Sequence, residues 1–195
     1  KDSSDDKIES FIDDKFKNVR LFRGDLNDVL SRYHECVLSI SKKAVIRITS
    51  DCPFSDPILI KEMAEEFIRS DVDYMSNTMP PEESEFSDGF DVEIFTSNLL
   101  ESCALDTSLT PSEREHVTFT MWQSGKYKTT VFGNKNKHTM AYKLSIDSNN
   151  DFELFQKVIR RIDLHDRFFE IEKTIHKNNF YLINADSLKN SGWKK

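Results

Sequence analysis

No stretch of this 195-residue sequence is apolar for long enough to cross a bilayer, which takes about 20 consecutive apolar residues. Cysteine is scarce. Cys36, Cys52 and Cys103 lie far apart with no CxxC pair, which excludes a disulfide framework and a zinc site and fits reduced intracellular thiols. Positive charge is also short, with 27 basic against 34 acidic side chains and a net charge of −7. Broad binding to a nucleic-acid backbone needs clustered Lys and Arg, so no nucleic-acid partner is expected. There is no GxSxG elbow, no Walker loop and no HExxH pair. No secretory signal precedes the first acidic residues, so the expected location is cytoplasmic. The first residues, Lys1-Asp2-Ser3-Ser4-Asp5-Asp6, include no initiator Met, and the sequence reads as though it begins inside something longer. What is present is a core. An apolar fraction of 37% with 15 Phe makes wholesale disorder untenable, and the length suits one domain with at most an extension.

Ile8, Phe11, Ile12 and Phe16 fall on one helical face. Val19 to Phe22 is a short β-like run. A second helix follows, capped by Asp25 and carrying Leu26, Val29, Leu30, Tyr33, Val37 and Leu38. Ala44 to Thr49 is rich in β-branched residues and reads as a buried strand. Pro57, with Asp56 as cap, opens a helix running to about Arg69. Strands are expected at 73–76, 91–95, 127–132 and 140–146, and helices at 97–105, 111–123 and 150–162. One more helix and a polar end complete 165–195. Alternating strands and helices predict an α/β fold with a mostly parallel sheet.

In such sheets ligands bind at the carboxyl ends of strands. That rule selects Asp51 and Asp147, each just past a predicted strand. Two carboxylates there suit a hard cation that also binds phosphate oxygens. From spacing alone they suit turns and helix caps better. A second candidate is Glu113-Arg114-Glu115-His116, where Arg offers a planar fork and His a donor. Its alternative is a solvated first helical turn. The third is Asp88-Gly89-Phe90-Asp91-Val92-Glu93, in which Asp91 and Glu93 share one strand face that suits sugar hydroxyls and equally suits an ordinary exposed strand face. Lysines 126, 128, 135, 137 and 143 form the one basic region and read as a solvated hairpin.

The residues carry more than their spacing. Arg47-Ile48-Thr49-Ser50-Asp51-Cys52-Pro53-Phe54-Ser55-Asp56-Pro57 resembles the R-I-T-x-D-C-P-L-x-D-P segment of the cytidylyltransferases of surface-polysaccharide synthesis. That family includes spore-coat polysaccharide proteins and is similar to the CMP-Kdo and CMP-acylneuraminate synthetases. Phe22-Arg23-Gly24, with Asp28-Val29-Leu30 and Arg32-Tyr33, resembles its F-R-G-x-x-x-D-V-L-x-R-Y. Asp73-Tyr74-Met75-Ser76-Asn77 resembles D-Y-V-S-N, and 88–95 resembles D-G-L-D-V-E-V-F. Ser112 to Thr118 is similar to S-E-R-E-H-V-T. The ordered likeness runs from residue 1 to about 161.

The resemblance implies a nucleotide-diphospho-sugar transferase fold, a Rossmann-like α/β/α sandwich. It implies transfer of CMP from CTP to a sugar or sugar acid, releasing pyrophosphate, with Mg²⁺ held by Asp51 and Asp147. Arg23, Asp28 and Arg32 match the nucleotide side. Asn77, Asp88, Asp91, Glu93, Arg114 and His116 match the acceptor-sugar side. Asn149-Asn150 replaces the family's Pro-Glu and Leu144 a common Trp, both flanking Asp147. Nothing here matches the family's first strand and its R-x-x-S-x-R-L-P-G-K phosphate loop, so a strand–loop–helix–strand unit of about 30 residues or more is expected to be missing. The nucleotidyltransferase domain is accordingly assigned to 1–162 and a helical extension to 163–195. Without the loop, the chain on its own is expected to be inactive. Related enzymes are often homodimers, and the 126–143 hairpin is a candidate interface. The rival readings are a metal-dependent glycosyltransferase of similar fold and a non-catalytic sugar- or nucleotide-binding module.

Overall fold

Asp56 is a buried carboxylate placed to start a helix. It accepts hydrogen bonds from the backbone N–H of Ile58 (2.8 Å) and Leu59 (3.1 Å), and Pro57 behind it needs no N–H partner. The helix it begins is one of eight in the computed structural model, which describes residues 5–134 and 141–187. In chain order these are α1 (Asp6–Lys15), α2 (Val29–Leu38), α3 (Pro57–Arg69), α4 (Ser97–Ala104), α5 (Pro111–Glu115), α6 (Phe119–Gln123), α7 (Asn149–Val158) and α8 (Phe168–Lys177). The strands are β1 (Ala44–Arg47), β2 (Tyr74–Ser76), β3 (Glu93–Thr96) and β4 (Thr129–Val131). They form a sheet of order β1-β3-β2-β4.

The sheet is mixed. β2 runs antiparallel to β3, pairing Tyr74 with Phe95 and Ser76 with Glu93, and parallel to β4, pairing Tyr74 with Thr129. The chain divides into two units, Lys1–Val45 with Thr96–Lys126, and Ile46–Phe95 with Tyr127–Lys195. In the first, α2 packs on α4 and α5, and α4 on α6. Leu30, Val37, Leu99, Leu100, Cys103, Val117 and Met121 are its buried apolar residues. α1 buries none of its residues.

In the second unit the core joins α3, the sheet, α7 and α8 through Leu59, Met63, Met75, Ile94, Leu154 and Ile175. Phenylalanines 54, 86, 90, 132 and 168 fill it, with Phe86 and Phe168 ring centroids 5.0 Å apart. Phe168, Ile171, Ile175 and Phe180, all beyond residue 162, are buried in this core. Asp56 locks them in place by accepting from Arg167 Nε (2.7 Å) and Phe168 N (3.2 Å).

Five expectations give way. The strand expected to be buried at 44–49 is β1, and it is largely exposed, Ile46 by 43% and Ile48 just past it by 40%. Residues 19–22 form no strand. Asp28, not Asp25, caps α2, through Ser31 N at 3.0 Å, while Asp25 holds a preceding turn by accepting from Asn27 N and Asp28 N. The single helix expected over 111–123 is two, because Val117 takes a left-handed φ of 60°. Over the described part of 140–146 there is only a parallel bridge between Lys143 and Asp88. Met140, Lys135 and Lys137 lie outside the described residues.

Candidate active site

Three loops of the second unit converge around Asp51. The loop after β1 turns back when Cys52 N donates to Thr49 O (3.2 Å). Cys52 is buried, with Thr49 Oγ1 at 3.0 Å and carboxylate oxygens of Asp51 and Asp91 each 3.7 Å from its Sγ. Burial, then the neighbouring Asp91 charge, pushes this thiol far above the ordinary range. It stays neutral and is no nucleophile.

The second loop carries Asp88 to Asp91. Gly89 has φ +109°, and a Cβ there would lie 2.6 Å from the Leu144 carbonyl carbon and 2.7 Å from Ser145 N. Only glycine lets the 88–91 loop seat against 144–145, where Leu144 N donates to Asp88 O at 2.7 Å. Asp91 accepts from Thr78 Oγ1 (2.7 Å) and Gly89 N (2.6 Å). Burial and the adjacent Asp88 raise its pKa to about 6. Asn77 is fully buried and grips the same segment, donating to Phe90 O (2.9 Å) and accepting from Val92 N (2.8 Å). Glu93 is buried too, accepting from Tyr74 OH (2.6 Å) and pairing with Arg47. Asn77 and Glu93 therefore hold the loop and the sheet, while Asp88 and Asp91 stand at the strand end.

Asp147 lies on the third loop, between Lys143 and Asp151. Lys143 is buried, and its ammonium meets Ser145 O (2.8 Å), Asp147 Oδ2 (2.8 Å) and Asp151 Oδ2 (3.0 Å). Burial favours the neutral amine, but both carboxylates overcome it and raise the Lys143 pKa. Asp151 caps α7 with Ser148 and takes Asn184 Nδ2 at 2.7 Å. Burial opposes its charge, yet bonds from Asn184, Lys143 and Ser148 hold it at about 2.

Backbone geometry joins the first and third loops, because Ile146 N donates to Asp51 O at 2.9 Å. The two aspartates selected from the sequence thus sit on hydrogen-bonded neighbouring loops. Among the described residues no group of three or more His, Cys, Asp or Glu is arranged to hold a metal. The donor set still fits a magnesium-type ion, which takes one or two carboxylates and completes its shell with phosphate oxygens and water. Asp147 Oδ1 and Asp51 Oδ2 have no partner among the described residues, as such a role requires.

The remaining candidates belong to the first unit. Arg114 donates through Nε to Asp28 Oδ2 and through Nη2 to Ser31 Oγ, both at 2.8 Å, tying α5 to the cap of α2. His116 stacks on Phe119 with centroids 4.5 Å apart. Arg23 pairs with Asp6 (2.7 Å) and Glu9 (2.6 Å), and Arg32 reaches Asp25 O (3.2 Å). Arg23 and Arg32 line one cleft of about 160 Å³ with Ile8, Leu21, Phe22 and Gly24. Lys143 is the functional candidate that sequence reasoning missed. It was grouped with solvated lysines, and its spacing to Asp147 and Asp151 was the available signal.

These loops are the segments that carried the motif resemblance, and a family comparison decides it. The model of the family described as cytidylyltransferase matches residues 2–186. The chain belongs to the cytidylyltransferase family. Its match extends past residue 161, where the quoted motifs end, and includes α8. A solved cytidylyltransferase from Leptospira borgpetersenii superposes with a TM-score of 0.84 at 26% identity, covering 94% of this chain and 76% of that one. The α/β nucleotide-diphospho-sugar transferase fold expected from the motifs is therefore the fold present. The spore coat polysaccharide biosynthesis protein SpsF of Bacillus subtilis is 28% identical over 154 residues, which are 76% of this chain and 62% of SpsF. The uncharacterized protein MJ1063 of Methanocaldococcus jannaschii is 27% identical over 148 residues, 75% of this chain and 58% of that protein. The chain spans about three fifths of the length of these two relatives. No helix among the described residues is long and apolar enough to cross a membrane.

Proposed function

We propose that the protein transfers a cytidylyl group from CTP to a sugar or sugar acid in polysaccharide synthesis, giving a CMP-sugar and pyrophosphate. The observation that carries this reading is the placement of Asp51 and Asp147 on neighbouring loops joined by the Ile146 N to Asp51 O hydrogen bond, in a chain of the cytidylyltransferase family. An acceptor hydroxyl attacks the α-phosphorus of CTP in line, and pyrophosphate departs. Such a transfer relies on positioning and charge neutralisation more than on covalent help from the protein. Asp51 and Asp147 would hold Mg²⁺, which supplies Lewis-acid neutralisation of phosphate oxygens. Gly89 and Asn77 fix the loop that presents Asp88 and Asp91 to the acceptor. Arg23 and Arg32, which the motif resemblance matches to the nucleotide side, line a cleft of the first unit, where Asp28 and Arg114 hold α2 and α5 beside each other.

The test is pyrophosphate release by the intact protein, supplied with CTP, Mg²⁺ and a panel of sugars and sugar acids. Asp51→Ala and Asp147→Ala should each abolish it. Near-normal turnover in both variants would remove the metal assignment. Consumption of a UDP- or GDP-sugar in place of CTP would make the protein a glycosyltransferase instead.

A further inference from the structure

Lys143 is a fixed positive charge between Asp147 and Asp151. Its ammonium has three donors, and all three are used, on Ser145 O, Asp147 Oδ2 and Asp151 Oδ2. It lies 5% exposed, so it cannot swing into water to release Asp147. Asn184 closes the arrangement, donating to both Lys143 O (2.9 Å) and Asp151 Oδ1 (2.7 Å). A buried ammonium deprived of its carboxylates would be strongly unfavourable, so the charge stays where it is.

Set against it are the two carboxylates available to a metal, and one of them already shares an oxygen with the lysine. We propose that Lys143 prevents this site from taking up a divalent cation by itself, so that the metal binds only together with a triphosphate. The inference rests on Asp51 and Asp147 being the metal ligands. Mg²⁺ gives up its water reluctantly and seldom settles in a site with so few protein oxygens. Lys143 faces Asp147 on one side and Asp151 on the other, and its charge on the shared Asp147 Oδ2 weakens what that carboxylate offers a cation in the free protein. A bound triphosphate adds several negative charges and further oxygens, and the balance reverses. Lys143 is thus a positioning residue: it fixes Asp147 through Oδ2, leaves Oδ1 available, and couples metal entry to nucleotide.

Paramagnetic broadening of backbone amides by Mn²⁺ reads this directly, without turnover. In the wild-type protein, micromolar Mn²⁺ alone should leave the amides of Asp51, Ser145 and Asp147 sharp. Adding CTP should broaden them. Lys143→Gln should bind Mn²⁺ without nucleotide at least roughly tenfold more tightly, the effect of one nearby charge at protein dielectric. Lys143→Arg, which keeps the charge, should behave as wild type. Broadening of these amides in the wild type by micromolar Mn²⁺ alone, with CTP still binding, would overturn the role of Lys143 only. That measurement stands even if Lys143→Gln does not fold. An unchanged Mn²⁺ affinity in a folded Lys143→Gln would overturn it equally. If CTP neither broadens these amides with Mn²⁺ nor perturbs the spectrum, the functional reading itself fails.

Discussion

Replacing Gly89 with alanine tests whether the 88–91 loop is held against 144–145 by backbone contact. At φ +109° a side chain is strained wherever it points. The new Cβ would sit 2.6 Å from Leu144 C, 2.7 Å from Ser145 N and 2.9 Å from Leu144 Cβ. Two of these are backbone atoms, so no rotamer change relieves the clash, and the loop must move away. Moving it breaks the Leu144 N to Asp88 O bond of 2.7 Å and loosens the Gly89 N bond to Asp91. Backbone strain, overpacking and a lost buried hydrogen bond together predict a loss of about 3–5 kcal/mol. For a chain of this size that lowers the melting temperature by about 6–20 °C. Gly133→Ala is the control in the same unit. Its nearest atom would be the Glu85 carboxylate oxygen at 3.4 Å, with no left-handed φ, so it should stay within about 0.5 kcal/mol of wild type. Thermal and denaturant unfolding followed by circular dichroism compare the two. Equal stability of the two variants would refute the packing argument.

Glu172 on α8 is buried and accepts from Ser87 Oγ at 2.5 Å; burial pushes its pKa up to about 7, against the Ser87 bonds that lower it. The unfolded carboxyl ionises near its usual 4.5 while the folded one keeps its proton, so this group's contribution falls as pH rises from there to about 7. Glu172→Gln keeps the acceptor and loses the titration, so its melting temperature relative to wild type should climb between about pH 4.5 and pH 7 and then level off. A difference independent of pH would count against the buried carboxyl. Cys52 and Cys103 are buried and Cys36 is only partly so. Brief alkylation of the native protein at neutral pH should therefore label Cys36 alone, as peptide mass spectrometry would report; fast labelling of Cys52 would contradict its neutral, enclosed thiol.

Features encoded by neighbouring residues were the ones readable from sequence. Asp56-Pro57 announced α3, because a cap and a first-turn proline act within four residues, and Thr110 and Pro111 stand in the same relation to α5. The break at Val117 was not readable, since a left-handed φ at a β-branched residue is imposed by surroundings and leaves no Gly or Pro as a marker. Asp25 and Asp28 are equally good caps by type, and the Arg114 fork from far along the chain accompanies the one used. In the second unit, the strand-end rule found Asp51 and Asp147. It could not tell that Asn77 and Glu93 spend their polar atoms on the backbone, Tyr74 and Arg47. The burial of Lys143 was not readable, because Asp151 and Asn184, eight and 41 residues away, decide it, and its spacing to Asp147 and Asp151 was the only local signal.

The central claim is that this fold binds CTP with a divalent cation at Asp51 and Asp147. Thermal shifts of the intact protein with CTP, CDP, UTP and ATP, each with and without Mg²⁺, test it most directly. Ligand at 100 times its dissociation constant stabilises by about 2.7 kcal/mol, roughly 5–10 °C here. The predicted result is a shift of that order with CTP and Mg²⁺, smaller with UTP or ATP, and abolished in Asp51→Ala and Asp147→Ala. No CTP-selective shift, or one unchanged in both variants, would contradict the account.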